Sequence, residues 1–387
     1  MYTLLLADFT SVAKSILYVL LAILILLIMI TVHEFGHYIV GKIFKFKIDE
    51  FAIGFGPAIY KKTKKNGEVF SIRLLPLGGF CAFAGEDDLE EEKKKNKEPF
   101  EEETLSQDND KDYKLKHQND FVNKPPWQRI LVLVSGAFMN LLLALVVSAV
   151  FLGVYGCPAY QVSSFTDSQG TYHAVLAPFE EDDVIVSING KNIYMVTDIM
   201  DAIDNKEVGD TVVVEVLRDG RHVDLSIVIG SYEIENIESV GETLSNIGVP
   251  ALYKTSVRFG FFNMLGRVFE YTFKIGLSVL MVLGQLVTGK LGVSAMGGTV
   301  TTIAQTAQGI QNYGVEYLLQ ITSLIGVNLA IFNLLPLPAL DGSKVVFTAI
   351  EWVRGKPINR RVESIIHFVG IILLFAFAIL VDLQHCF

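Results

Sequence analysis

The segment LLIMITVHEFGHYIV, residues 26–40, carries two histidines and a glutamate at the end of an otherwise apolar run. His33 and His37 are four residues apart and therefore share one face of a helix. Two imidazoles at this spacing are a typical pair of Zn²⁺ ligands, and the glutamate between them stays off the metal and serves as general base for water. A chance match is the alternative, but ionisable groups in an apolar segment are costly without a partner. The pattern predicts a zinc site with His33 and His37 as ligands and Glu34 as base.

A catalytic zinc takes a third protein ligand and keeps one position open for water. The candidate is Asp341, which ends the apolar run NLAIFNLLPLPALDGS at 328–343. On its own, an aspartate before glycine is typical of a turn or a helix cap. The predicted topology, however, brings Asp341 to the same side of the membrane as the histidines. Pro336 and Pro338 also prevent regular helix just before it.

Two further polar side chains in apolar runs have open interpretations. Asn333 either makes an interhelical hydrogen bond or orients the substrate and the transition-state oxyanion. His367 is either a hydrogen-bonded packing residue or a fourth ligand that closes the metal site. A closed site would favour a non-catalytic membrane scaffold with a structural metal. A metal transporter would need more ionisable side chains along the apolar runs than they carry.

Apolar runs long enough to cross a bilayer occupy residues 12–40, 130–154, 317–342 and 363–383. The first is too long for a signal peptide, and no small-residue cleavage site follows it. The run 264–288 is interrupted by charges in its first half, which predicts an interfacial or re-entrant helix. With 51% hydrophobic residues, the chain is predicted to be a multi-pass α-helical membrane protein with about four transmembrane helices.

Loop charges predict the orientation of the spans. Basic residues cluster in 41–65 and 344–361, and the positive-inside rule places both loops in the cytoplasm. The first and third spans then run inward, so both predicted ligand sets lie toward the cytoplasmic side. Residues 158–262 are predicted to lie outside.

Two segments between the spans have the composition of soluble regions. Residues 86–120, within the region 41–129, are dense in charge and poor in apolar side chains, which predicts a mobile insertion. Residues 160–250 contain short apolar runs separated by NG and DG, which predict hairpins and a small, mostly β domain. The net charge of −10 disfavours nucleic acid as a partner. The cysteines lack paired spacing and are predicted to be packing residues: Cys81, Cys157 and Cys386.

Six motifs in one order carry a family resemblance. They are HEFGH at 33–37, IGFGPAIY at 53–60, IRLLPLGGFCAFAGE at 72–86, SGAFMN at 135–140, GGTVTTIAQTA at 297–307 and NLLPLPALDG at 333–342. With them, the chain resembles the site-2 protease family of intramembrane zinc metalloproteases, in particular the bacterial RseP-type branch with an extracytoplasmic PDZ domain. The resemblance covers nearly the whole chain.

The resemblance implies a role for each matching residue. Zinc would be held by His33, His37 and Asp341, with Glu34 as the catalytic base. The segment LPLGGF at 75–80 would be a membrane-associated β-hairpin that pairs with unwound substrate. Gly78 and Gly79 are also typical of an ordinary hairpin turn, which is compatible with that role. The substrate-binding residues would be Asn333, Asn140, Leu77, Gly78, Gly79 and Phe80.

The resemblance also implies location and partners. The enzyme would lie in a bacterial plasma membrane with an α+β PDZ-like domain at 160–250 on the outside. Its substrates would be single-pass membrane proteins, such as anti-sigma factors or remnant signal peptides. The sequence PFEEDD at 178–183 replaces the Pro-Gly of many relatives, so it is open whether this domain binds a peptide or acts mainly as a size filter.

Overall fold

The computed structural model describes residues 2–86, 118–166, 172–203, 206–230, 247, 249, 251–290, 299–356, 358 and 360–384. Most of the predicted insertion at 86–120 lies outside these described residues, as does Cys386. Cys81 and Cys157 are free thiols. The chain divides into two compact units, one formed by Met1–Ser148 with Thr272–Phe387 and the other by Ala149–Tyr271.

The helices in chain order are α1 (Tyr2–Ile43), α2 (Pro126–Tyr155), α3 (Val196–Ile203), α4 (Phe261–Val287), α5 (Thr299–Leu334), α6 (Asp341–Arg354) and α7 (Arg360–Gln384). Among the described residues, four segments are long and apolar enough to cross a membrane: Lys14–Ile43, Pro126–Tyr155, Thr301–Leu334 and Val362–Leu383. They confirm the prediction of about four transmembrane helices. Helix α4 is not among them, and its interfacial or re-entrant placement stays a prediction.

The third span ends earlier than the predicted bound of 342. Helix α5 stops at Leu334, residues 335–340 are not helical, and Asp341 is the first residue of α6. Pro336 and Pro338 explain the break, because proline lacks a backbone N–H and restricts the residue before it. Asp341 therefore begins a helix after an irregular loop instead of ending the span.

The spans of the first unit pack closely. At Gly36 in α1, an added Cβ would clash with the main-chain oxygen of Ser135 in α2, so the two helices meet backbone to backbone. The buried hydroxyls of Ser148 and Ser323 lie 2.5 Å apart and join α2 to α5. Small residues and interhelical hydrogen bonds are the usual means of packing helices in apolar surroundings. Contacts of this kind hold α1, α2 and α5 together.

Strands β1 (Ile48–Thr63) and β2 (Val69–Phe83) bend to form a small sheet between α1 and α2 in the chain. Residues 48–53 pair with both 79–83 and 69–72, and residues 58–63 pair with 69–73. Among the described strands, 79–83 pairs on one side only and is an edge. One turn of the sheet lies at 64–68. Gly78 and Gly79 lie inside β2, where the chain reverses between 69–72 and 79–83, so their interpretation as turn residues stays a prediction.

The second unit contains a β-sheet, which confirms the predicted β content of this region. Strands β3 (Cys157–Ser163), β6 (Val184–Ile188), β8 (Thr211–Arg218), β9 (Arg221–Val228) and β10 (Ala251–Val257) follow the order β10-β3-β6-β8-β9, and β7 (Lys191–Asn192) pairs with β6. A separate pair joins β4 (Phe165–Thr166) and β5 (Tyr172–His173). The predicted NG and DG turns are present: Asn189–Gly190 and Asp219–Gly220 have positive φ angles of 48°, 74°, 49° and 76°. The PDZ identity of this unit stays a prediction.

Candidate metal centre

Three ligand-type side chains converge where α1 meets the start of α6. His33 Nε2 and His37 Nε2 lie 2.9 and 3.2 Å from Asp341 Oδ2, and the two Nε2 atoms lie 3.1 Å apart. Among the described residues, they form the group of histidine, cysteine and acidic side chains that could share a metal ion. Two nitrogens and one carboxylate oxygen are suitable zinc ligands and leave a fourth position open. The residues predicted from the sequence therefore fit the cation.

His37 is held from behind by helix α2. Its Nδ1 lies 2.7 Å from the main-chain oxygen of Val132 and donates to it, which directs Nε2 toward Asp341. Gly136 lies one turn further along α2 and faces both imidazoles. An added Cβ there would lie 2.5 Å from His37 Nε2 and 2.7 Å from His33 Cε1. The space for the imidazole pair depends on a glycine at this position.

His33 is approached on Nδ1 by two asparagines. Asn140 Nδ2 of α2 lies 3.5 Å away, and Asn333 Nδ2 of α5 lies 3.4 Å away. Asn333 is partly exposed, whereas Asn140 is 0% exposed. The prediction that Asn140 contacts substrate is therefore not supported by its position, since a fully buried amide on the far side of an imidazole offers no surface to a substrate.

Glu34 lies partly exposed in a cavity of about 1100 Å³ that also receives His37 and Asp341. The edge strand 79–83 lines the same cavity: a Cβ added to Gly79 would lie 3.5 Å from Glu34 Cγ, and the backbone of Cys81 is hydrogen-bonded to the Glu34 carboxyl group. The predicted base is thus brought together with the metal ligands and with a sheet edge.

The other predicted residues of the sheet have separate positions. Phe80 lines the cavity, and the Arg73 guanidinium lies 4.8 Å from its ring centroid. Gly78 has a φ of +112° and its Cα faces the ring of Phe55 so closely that any side chain would clash. Leu77 precedes Gly78 in β2. Gly78 therefore shapes the strand, while Gly79 lies beside Glu34 and Phe80 lines the cavity.

The loop before Asp341 is fixed by α7. The backbone N–H of Ala339, which has a φ of 78°, donates to His367 Nδ1 at 3.2 Å. Gly370 leaves room for Pro338, which an added Cβ would overlap. His367 is outside the three-residue ligand group, so the interpretation as a fourth ligand has no support among the described residues. The hydrogen-bonded packing interpretation is the one that its contact to Ala339 favours.

An ion-pair cluster ties the turn of the sheet to α1. The buried carboxylate of Glu68 accepts from Lys42 of α1 and, at 2.6 Å, from Lys64 of the turn, and Lys64 also donates to Tyr38. Burial raises the pKa of Glu68, but the hydrogen bonds from Lys42 and Lys64 outweigh it and lower this pKa to about 2. The cluster positions the sheet beside the helix that carries Glu34.

Comparison with known proteins identifies the family to which this arrangement belongs. The model of peptidase family M50 matches residues 21–377. The chain belongs to peptidase family M50. This match confirms the resemblance to the site-2 proteases, and it agrees with the metalloprotease chemistry that His33, Glu34, His37 and Asp341 indicate.

Named relatives of this M50 peptidase match over most of their lengths. The zinc metalloprotease RasP of Oceanobacillus iheyensis is 30% identical, with 93% of this chain and 97% of the relative aligned. The regulator of sigma-W protease RasP of Bacillus subtilis is 30% identical, with 92% and 95% aligned. The zinc metalloprotease RasP of Geobacillus kaustophilus is 29% identical, with 92% and 95% aligned.

Some functional positions of this M50 peptidase were not found from its sequence. The Val132 carbonyl has no side-chain signature, and Gly136 looked like one small residue in an apolar helix. Glu68 looked like one charge in a lysine-rich turn. The four-residue spacing of Gly136 and Asn140 in SGAFMN is the sequence signal that could have placed both on one helix face.

Proposed function

We propose that this M50 peptidase uses zinc to cleave single-pass membrane proteins within or near the bilayer. The observation that carries the proposal is one cavity, among the described residues, that is lined by Glu34, by the ligand residues His37 and Asp341 and by an unpaired sheet edge. The third ligand atom, His33 Nε2, lies 2.9 Å from Asp341 Oδ2. The zinc metalloprotease names of the relatives support the choice of metal. The sigma-W regulator name of the Bacillus subtilis relative supports membrane-anchored anti-sigma factors as substrates, with remnant signal peptides as a second group.

Each side chain has a role in hydrolysis. His33, His37 and Asp341 would hold zinc, which when bound supplies a Lewis acid that polarises a carbonyl and makes water acidic. Glu34 takes the proton from the attacking water as its oxygen bonds to the scissile carbon. Glu34 then gives this proton to the leaving amine as the C–N bond breaks. Asn333, partly exposed beside His33, is placed to donate to the oxygen on which negative charge develops.

A transmembrane substrate must be unwound before this chemistry, because its peptide groups are engaged in helical hydrogen bonds. The edge strand 79–83 offers main-chain donors and acceptors to such an unwound segment. Because Gly79 of this strand lies next to Glu34, a substrate backbone paired with the strand would lie close to the base. We infer that strand addition at this edge holds the scissile bond.

The location follows from the loop charges. We propose a bacterial plasma membrane, with residues 41–65 and 344–361 in the cytoplasm and the β domain outside. The cavity is lined by charged side chains of the first unit, including Lys47, Asp49 and Lys344. Water from the cytoplasmic side would reach Glu34 through this polar lining.

The test compares wild type, Glu34→Gln and the exposed control Glu207→Gln in proteoliposomes with a single-pass reporter. Glu34→Gln should keep zinc and lose cleavage by about 10²–10⁴-fold, the usual contribution of a general base. Glu207→Gln should match wild type. Cleavage by Glu34→Gln at the wild-type rate would overturn the assignment of the base. Equal cleavage of the same segment as a soluble peptide would overturn the membrane substrate class.

A further inference from the structure

Both histidine ligands need a hydrogen-bond acceptor behind them. An imidazole that binds metal through Nε2 carries its proton on Nδ1, and a carbonyl or carboxylate that accepts this proton fixes the tautomer and the orientation of the ring. For His37 the acceptor is the Val132 carbonyl, 2.7 Å from Nδ1. Among the described residues, no main-chain oxygen accepts a hydrogen bond from His33.

The groups near His33 Nδ1 are the amides of Asn140 and Asn333, each placed with its nitrogen toward the ring. An amide nitrogen donates and a protonated Nδ1 also donates, so at least one of these amides must present its oxygen instead. The oxygen and nitrogen of an asparagine side chain are exchanged by a simple rotation, and the hydrogen-bond network decides between the two orientations.

Burial distinguishes the two asparagines. Asn140 is 0% exposed, and its Oδ1, as placed, has no hydrogen-bond partner in the part of the chain that the structure describes. Asn333 is partly exposed at the edge of the site, where it remains available to substrate. Buried amide oxygens are rarely left without a donor, and rotation of Asn140 turns Oδ1 to the Nδ1–H of His33.

The spacing along α2 gives an independent reason. Val132, Gly136 and Asn140 follow one another at intervals of four and form a single stripe along the helix. Val132 contacts His37, Gly136 faces both rings, and Asn140 contacts His33, so the stripe runs opposite to the histidine pair on α1. One helix face thus lies behind both ligands, with the Val132 carbonyl at His37, the Asn140 amide at His33 and a gap between them.

We propose that Asn140 is a positioning residue whose Oδ1 accepts the Nδ1–H of His33 and fixes that imidazole with Nε2 as the metal ligand. The inference rests on the proposed zinc site. It assigns Asn140 to the metal rather than to the substrate, and it leaves Asn333 for substrate contact.

The experiment measures Zn²⁺ affinity by chelator competition on purified full-length protein in nanodiscs, without any substrate. Asn140→Leu, which keeps the size of the side chain but has no acceptor, should weaken Zn²⁺ binding by about 10–100-fold. Asn140→Asp, which keeps an acceptor, should bind Zn²⁺ within a few-fold of wild type. The control Ser148→Ala removes another buried hydrogen bond of α2 away from His33 and should bind as wild type.

Wild-type affinity in Asn140→Leu would overturn the proposal. Equal weakening in Asn140→Asp and Asn140→Leu would also overturn it, because a packing role does not distinguish an acceptor from a methyl group. The aspartate variant keeps the test decisive if the leucine variant does not fold. Asn333→Leu should lose cleavage but keep Zn²⁺ affinity. The Zn²⁺ affinities are measured without substrate, so they are independent of the Glu34→Gln cleavage result that tests the proposed function.

Discussion

Gly136 of α2 faces the imidazole of His37 so closely that a methyl group on its Cα would lie 2.5 Å from Nε2, the atom that points to Asp341. The backbone of α2 therefore lies directly against the metal centre. Gly136 leaves the space that the imidazoles occupy, whereas every other residue type has a Cβ at this point.

Gly136→Ala is expected to displace the imidazole pair and abolish tight Zn²⁺ binding. The added methyl group would overlap ring atoms of both His33 and His37. It cannot move away, because α2 is held in place by its contact with Gly36, so the two rings must shift. Zinc content of the purified variant, measured by metal analysis, checks the prediction. Gly153→Ala on the same helix is the control, because its added Cβ would have no atom within 4 Å among the described residues. A zinc-loaded, active Gly136→Ala enzyme would contradict this account.

Glu68→Gln is expected to loosen the β-sheet from α1. The variant loses charged hydrogen bonds from Lys42 and Lys64, each of a kind worth about 1.5–3 kcal/mol. Hydrogen exchange of the turn 64–68 should accelerate and cleavage should fall several-fold, while Zn²⁺ affinity stays unchanged because no ligand is touched. Lys62→Met, an exposed charge removal nearby, should leave exchange as in wild type.

The same carboxylate predicts a pH dependence. Since the pKa of Glu68 falls from 4.5 to about 2 in the folded protein, its contribution is complete above the ordinary pKa and is lost as the pH falls from 4.5 toward 2. The protection factors of the turn amides, which correct for the intrinsic pH dependence of exchange, should therefore be constant near neutral pH and fall in acid for wild type only. An acid-induced fall of equal size in Glu68→Gln would show that another group controls the turn.

His367→Leu is expected to weaken the metal centre from a distance. Without Nδ1, the backbone N–H of Ala339 loses its acceptor, at a cost of about 1–3 kcal/mol, and the loop that leads to Asp341 is less well fixed. Zn²⁺ affinity should fall, whereas His367→Asn, whose Oδ1 can accept at the same place, should restore most of it. Equal Zn²⁺ affinity in wild type and both variants would mean that the loop does not depend on α7.

Gly79→Ala is expected to slow cleavage without loss of zinc. Its Cβ would lie 2.9 Å from the Ala52 oxygen and 3.5 Å from Glu34 Cγ, so the edge strand would shift at the point where substrate is proposed to pair. Steady-state cleavage of the reporter and zinc analysis check the two parts. Gly266→Ala, with open space around its added Cβ, is the control. Unchanged kinetics in Gly79→Ala would argue against pairing at this edge.

The ligand set could be predicted from the sequence because each part of it has a pattern. His33 and His37 are related by helical periodicity, and Asp341 lies at the end of an apolar run at the matching depth. Pro336 and Pro338 indicated irregular backbone before Asp341, although not that the span ends at Leu334. The four spans followed from hydropathy and length alone.

The supporting positions could not be predicted in the same way, because they depend on which faces of distant helices meet. The Val132 carbonyl is a backbone atom common to all residues, and its role exists only because α2 crosses α1 at Gly36. The resemblance implies a substrate contact for Asn140, and its complete burial, a tertiary property, could not be read from the sequence. Glu68 forms an ion pair with Lys42, and the whole of strand β1 separates these two residues in the sequence.

The break at Gly314, with φ 66° and ψ −142°, divides α5 into two parts of different character. Residues 315–334 cover about 30 Å at about 1.5 Å per residue, which equals the hydrocarbon thickness of a bilayer. The threonine- and glutamine-rich part before the break is not needed for the crossing and packs on α1, where Ile310 is buried against Ile25 and Met29. With residues 315–334 across the hydrocarbon as proposed, Asn333 and the irregular loop after it would fall at a water–lipid boundary, where bulk solvent could reach the site while the substrate is still embedded.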